Sequence, residues 1–181
     1  MFEKLLKNIG SCFKKAQIPY MVIGGHAVLI YGESRLTQDI DVTVGVDADQ
    51  IERVKQVISK LHFKILVENP ESFVKKTMVL PALDEKSGIR IDFIFSDSTY
   101  EKQALKRTKS VTMDGVGVRF ASLEDLIVHK IVAGRPRDLE DARGILVRNK
   151  KRDEKYIRKW LSKMGKVLDH DLLKVYSSLF K

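Results

Sequence analysis

The chain has 181 residues, which suits one domain, or one catalytic domain with a helical appendage. Hydrophobic residues make up 44% and charged residues 31%, a globular composition that excludes disorder, and 33 Lys+Arg against 24 Asp+Glu leave a formal charge of +9. That balance favours polyanionic partners such as nucleic acid or highly phosphorylated ligands, although a plainly soluble basic protein fits it too.

Phe2, Leu5, Leu6, Ile9 and Phe13 recur at three- and four-residue steps, which predicts an amphipathic helix over 2–16. This segment lacks the apolar run of a signal peptide, no stretch approaches the roughly 20 apolar residues of a membrane span, and the lone Cys12 cannot form an intrachain disulfide. A soluble, cytoplasmic protein with no membrane partner is expected. Pro19 breaks the chain. Tyr20 to Ile23 reads as a buried strand, and Gly24-Gly25 as a tight turn into a short helix over 26–31 that stops at Gly32. Residues 39–44 alternate polar and apolar, as a strand with one polar face does. Asp49 is expected to cap a helix reaching Leu61.

Strands follow over 63–67, 77–83 and 89–95, with a short helix over 69–76 and a hairpin loop over 84–88. A helix over 98–107 precedes strands over 111–113 and 116–120, joined by Asp114-Gly115, a pair suited to the type I′ turn. From Ser122 the pattern is helical throughout: 122–133, opened by a Ser-x-x-Asp capping box, then 137–148, 153–165 and 169–180. The fold class is therefore α+β, a small mixed β-sheet flanked by helices with a C-terminal helical part. The boundary falls between a sheet-bearing region, 1–120, and a helical region, 121–181.

The chemistry begins at Asp39 and Asp41. Two residues apart on a strand, their side chains share a face. Paired carboxylates repel, and a divalent cation relieves the conflict, since hard cations such as Mg²⁺ prefer oxygen ligands. Asp92 interrupts the apolar run Arg90-Ile91-Asp92-Phe93-Ile94-Phe95. If its strand lies beside 39–44, three carboxylates converge, able to hold one or two metals about 3.5–4 Å apart. An isolated Asp-x-Asp equally fits the solvated face of an edge strand. Gly24-Gly25 lets backbone approach a phosphate at a helix start, or is a simple turn. Arg35 and Thr37 offer a cation and a hydroxyl to phosphate oxygens, or are loop residues.

The order of strand, Gly-Gly, short helix, Arg-x-Thr-x-Asp-x-Asp on a strand and a third Asp on a later strand resembles the DNA polymerase β-like nucleotidyltransferase superfamily. Within it, GGHAVLIYGESRLTQDIDVTV and SLEDLIVHKIVAGRPRDLEDARGIL look like minimal nucleotidyltransferases and abortive-infection toxin nucleotidyltransferases. The likeness covers about residues 20–148. It departs at His26, where many active relatives carry Ser. It implies a catalytic domain over 1–120 that uses a nucleoside triphosphate and Mg²⁺ (or Mn²⁺). Asp39, Asp41 and Asp92 would be metal ligands and catalytic residues, and Gly24, Gly25, Arg35 and Thr37 would bind nucleotide. It also implies that Lys130 and Arg135 contact phosphates and that Asp138 is a catalytic base or orienter. Asp138 and Asp141 fit equally well as carboxylates in a helix first turn.

The acceptor is less determined. Lys102, Lys106, Arg107 and Lys109 form one basic stretch, and residues 148–159 a denser one, either able to track an RNA backbone or to serve as a solvated face. RNA or tRNA fits the toxin resemblance, with a toxin-antitoxin partner protein. The alternatives are a small-molecule, antibiotic-type transferase and an antitoxin or non-catalytic nucleotide-binding module. Tyr156, Trp160 and Met164 recur every four residues and read as helix core. No Walker loop, dinucleotide fingerprint or zinc spacing occurs, which removes kinase, dehydrogenase and zinc-site readings.

Overall fold

In the computed structural model, which describes residues 1–33, 36–96 and 98–180, the chain divides into two compact units. The sheet unit comprises Met1–Gly25 and Thr37–Ala121. The helical unit comprises His26–Leu36 and Ser122–Lys181. The later break falls one residue past the expected boundary, while residues 26–36 group with the C-terminal helices.

The sheet unit holds strands β1 (Tyr20–Ile23), β2 (Ile40–Val44), β3 (Lys64–Ile65), β4 (Val79–Asp84), β5 (Ile89–Phe95), β6 (Lys109–Met113) and β7 (Val116–Phe120). They form one mixed sheet in the order β3-β4-β5-β2-β1-β7-β6. β2 runs antiparallel to β1 and parallel to β5, and β1 runs parallel to β7. This unit also carries helices α1 (Phe2–Lys15), α3 (Ile51–Lys60), α4 (Pro70–Thr77) and α5 (Thr99–Lys106). Leu5, Leu6, Ile9 and Phe13 of α1 are buried at the helical spacing read from the sequence. Phe13 packs against Tyr20 and Phe93 with ring centroids 5.4 and 5.7 Å apart.

Two local expectations shift. Asp49 lies inside a 3-10 turn, Ala48–Gln50, and α3 starts without a side-chain cap from it. The strand expected over 63–67 pairs only at Lys64 and Ile65. Leu66 then donates its backbone N–H to Pro81, which has no N–H to return, so the ladder stops there. The Asp114-Gly115 turn has both residues at positive φ, as a type I′ hairpin requires.

α2 (Gly24–Tyr31) begins at the end of β1 and enters the helical unit, which contains α6 (Leu123–Ala133), α7 (Pro136–Arg148), α8 (Glu154–Leu168) and α9 (Leu172–Ser178). The Ser122 side chain caps α6, accepting from the backbone N–H of Asp125 and donating to its carboxylate. Asp125 is fully buried and also accepts from the Tyr156 hydroxyl at 2.7 Å. Tyr156 and Trp160 are core residues of α8, while Met164 is half-buried. Among the described residues, no helix is long and apolar enough to cross a membrane.

Candidate active site

Along β5, Ile89, Ile91, Phe93 and Phe95 are buried, and Arg90 and Asp92 fall on the opposite face. On β2, Ile40, Val42 and Val44 are buried and Asp41 falls between them. The parallel register sets Asp41 directly beside Asp92, at the strand spacing of about 4.8 Å. Asp39, exposed, stands just before β2.

β1 and β2 pair so that Ile23 faces Asp41, and Gly24 follows at once. Gly24 has a φ of +62°, and a Cβ placed on it would overlap the Asp41 carboxylate. Both the backbone conformation and the close approach therefore require glycine here. The turn is a fitted part of the carboxylate face, not a spacer. The Thr37 hydroxyl donates to the backbone carbonyl of Asp39 at 3.5 Å. Arg35 lies outside the described residues.

One residue of this face carried no signal of its own in the sequence reading. The Nε of Arg90 donates to Asp92 Oδ1 at 2.8 Å. The hydrogen bond that Arg90 donates to Asp92 raises the Arg90 pKa above its ordinary value; burial opposes this, and the nearby charges of Asp92, Asp39 and Asp41 add to it. The two-residue spacing from Asp92 on a strand was the available clue, since it puts both side chains on one face. With Arg90 on Asp92, and among the described residues, no three acidic, imidazole or thiol groups stand close enough as placed to hold a metal ion. The donor chemistry nevertheless suits one. Asp41 and Asp92 are adjacent hard oxygen donors, and Gly24 leaves the space over Asp41 free of side chain.

The helical unit has a separate ionic cluster. Lys130, on α6, is buried, with its ammonium 2.7 Å from Asp138 Oδ1 and 2.8 Å from Asp141 Oδ2. Arg135, the residue before α7, is exposed and donates its Nε to the other oxygen of Asp138. Pro136 at the first helical position leaves Arg135 extended, with ψ of 151°, which sets this arrangement. Burial alone would push the Asp138 carboxyl up, but Arg135 and Lys130 outweigh it and hold the group below the usual carboxylate range. Lys130, Arg135, Asp138 and Asp141 are thus brought together in the helical unit, and Gly24, Asp41 and Asp92 in the sheet unit. Gly25 directly follows Gly24 in the first turn of α2.

The seven-stranded mixed sheet flanked by helices matches the nucleotidyltransferase fold. Residues 2–167 match the family described as "Nucleotidyltransferase of unknown function (DUF6036)", and the chain belongs to that family. It is an enzyme of the nucleotidyltransferase class. Among solved structures it is similar to the antibiotic-resistance factor ANT(2'')-Ia, with a TM-score of 0.61, 14% identity and coverage of 92% of each chain. It is also similar to an antigenic nucleotidyltransferase-like protein from Paracoccidioides brasiliensis, with a TM-score of 0.57, 14% identity and coverage of 96% of this chain and 90% of that one. A third is the lincosamide antibiotic adenylyltransferase LnuA with lincomycin bound, with a TM-score of 0.50, 17% identity and coverage of 74% and 89%. At these identities the likeness is one of fold. No curated protein matches the chain in sequence.

Proposed function

We propose that this enzyme transfers a nucleoside monophosphate from a nucleoside triphosphate to a hydroxyl of an RNA acceptor. The observation that carries the donor half is the Asp41–Asp92 pair, in register on adjacent parallel strands, with Gly24 closed against Asp41. Asp39, Asp41 and Asp92 would hold Mg²⁺ or Mn²⁺, which when bound neutralises charge on the triphosphate and the departing pyrophosphate. The Gly24 and Gly25 amides, with Arg35 and Thr37, hold phosphate oxygens. Asp92 takes the proton of the acceptor hydroxyl as its oxygen bonds to the α-phosphorus and the bond to the β-phosphate oxygen breaks. Arg90 orients the Asp92 carboxylate for that role, as its hydrogen bond suggests.

In the helical unit, Arg135 presents an exposed guanidinium suited to a phosphate oxygen, and Asp138 orients it. Lys130 is buried with two carboxylate partners, which supports a part in fixing Asp138 in place of a direct phosphate contact. The net charge of +9 supports a polyanionic acceptor, tRNA included. The resemblance to abortive-infection toxins extends the reading to a toxin that modifies RNA and is checked by an antitoxin. Expression of the chain would then arrest growth, and expression of the Asp41→Asn variant would not.

The test is incubation with Mg²⁺, each labelled nucleoside triphosphate in turn and total RNA, beside Asp41→Asn. Label in RNA with the intact protein alone is the expected result. Unchanged turnover in Asp41→Asn would overturn the carboxylate assignment. The second reading, a small-molecule acceptor, is favoured by the shared fold of a protein solved in complex with adenylyl-2''-tobramycin. Label passing to an aminoglycoside or lincosamide in place of RNA would establish it.

A further inference from the structure

Away from the carboxylates, the sheet unit has a groove of about 1100 Å³ at the opposite end of β1 and β2. Its floor is apolar and glycine-rich, formed by Phe13, Ile18, Leu105 and Gly45. Its rim is cationic. Lys14 and Lys15 close the last turn of α1, Lys102 and Lys106 stand one turn apart on α5, and Arg119 projects from β7. All five are exposed, and among the described residues no carboxylate lines the groove. Among the described residues, Lys14, Lys15 and Lys106 form no ion pair, and Asp114, beside the groove at the β6–β7 turn, is held by Lys7.

The simplest explanation of Lys14 and Lys15 is that lysines favour a helix C-terminus. It does not cover Lys102 in mid-helix or Arg119 on a strand, which converge on the same space from other elements. The cations are fixed in place at Arg119, whose backbone N–H donates to the Tyr20 hydroxyl at 3.1 Å and whose guanidinium donates to Thr108 at 3.1 Å. The aromatic rings of the floor, Phe13 and Tyr20, are buried and offer no face for a base to stack on. Recognition here therefore falls on phosphates and not on bases.

We infer that this groove binds the phosphodiester backbone of a single-stranded RNA acceptor, upstream of the nucleotide that receives the transferred group. The assignment rests on the RNA-acceptor reading above and names the surface that holds the acceptor. Gly45 lies four residues beyond Asp41, about 13 Å along β2 at the strand rise. A stacked strand rises about 3.4 Å per nucleotide and an extended one more, so at most about four nucleotides cover that span. A chain of modest length thus reaches from groove to carboxylates.

The experiment measures binding of a fluorescent oligouridine of about twelve nucleotides to the full chain by anisotropy, over a range of salt, without nucleoside triphosphate or metal. The Lys14→Gln/Lys15→Gln/Lys106→Gln variant is compared with Lys150→Gln/Lys151→Gln/Lys155→Gln, which loses the same charge from exposed sites on the helical unit. Each phosphate contact on a single strand contributes about 0.7 to the salt slope, so the groove variant flattens the slope by about 2 and binds about 100-fold more weakly at about 0.1 M salt. The control variant keeps the wild-type slope, and an oligoadenosine binds the wild type as oligouridine does. If the triple groove variant melts early, the single substitutions carry the same test at about fivefold each. An unchanged slope in the groove variant, or an equal loss in the control, overturns the assignment. Because no transfer is measured, the outcomes separate. A protein that binds RNA through the groove but passes no label to it keeps this assignment and loses the acceptor reading.

Discussion

Replacing Lys130 by Met tests what the buried ionic cluster does. The substitution keeps the length and apolar stem and removes the ammonium that stands 2.7 and 2.8 Å from Asp138 and Asp141, whose side chains are only 5% and 6% exposed. Removing one partner of a buried ion pair costs about 3–5 kcal/mol, because the remaining charge stays desolvated. Arg135 still compensates Asp138, so the lower end, about 3 kcal/mol, is expected. For a chain of this size that is a fall of about 6–12 °C in melting temperature. Urea denaturation followed by far-UV circular dichroism reads the loss, and triphosphate affinity is measured in parallel. Adding Asp141→Asn to Lys130→Met removes one of the two carboxylate charges that lose the ammonium and restores part of the stability. A loss below about 1 kcal/mol, or a double variant no more stable than the single one, refutes the reasoning. Intact stability with weakened triphosphate binding would show instead that Lys130 reaches phosphate.

Acidification acts on the same cluster. The folded pKa of Asp138 is depressed, so its stabilisation is present above the unfolded value of about 3.9 and is lost as pH falls through the folded one. A denaturation series from pH 5 downward shows it as a steepening loss that Asp138→Asn lacks. Gly24→Ala forces a side chain into left-handed backbone and onto the Asp41 carboxylate, at a cost of about 1–3 kcal/mol, and transfer activity falls further than stability does. Arg90→Ala frees the Asp92 carboxylate from its donor and lowers turnover by about 10–100-fold with the triphosphate KM little changed, as steady-state kinetics would show.

Most of the secondary structure was legible because each element pairs a clear hydrophobic period with a stop signal. Gly24-Gly25, Pro19 and Pro136 punctuate it, and Ser122 caps where a capping box was read. The neighbouring strands of Asp41 and Asp92 were anticipated only conditionally, since periodicity fixes a residue's face but not which strand lies beside which. Arg90 was invisible for a related reason: an arginine on a polar strand face looks like any solvated residue until its neighbour across the same face is known. The burial of Lys130 was illegible too. It follows from two carboxylates one helical turn apart on α7 meeting a lysine on α6, a tertiary coincidence with no signature along the chain. The grouping of residues 26–36 with the C-terminal helices is equally non-local, because the linear sequence places them between two strands of the sheet.

Charge placement also predicts how acceptor length governs catalysis. The proteins of known structure that share this fold include antibiotic-modifying ones, so the fold does not choose the acceptor. Nor do the groove cations exclude a small one: they begin about 13 Å along β2 from Asp41, beyond the roughly 8 Å Debye length at physiological salt, so their field is largely screened at the carboxylates. Only an acceptor long enough to touch both ends gains from them. For a mononucleotide or dinucleotide acceptor, Lys14→Gln/Lys15→Gln/Lys106→Gln should leave kcat/KM unchanged, since such short chains do not span the distance. Above that length the wild type should gain and the variant should not, up to a difference of about 100-fold at about 0.1 M salt. Initial rates across a ladder of oligouridine acceptors measure this directly. A groove variant that lowers the rate equally for dinucleotides and long chains would mean that the lysines act on the carboxylate site itself, and the two-point picture of the acceptor would be wrong.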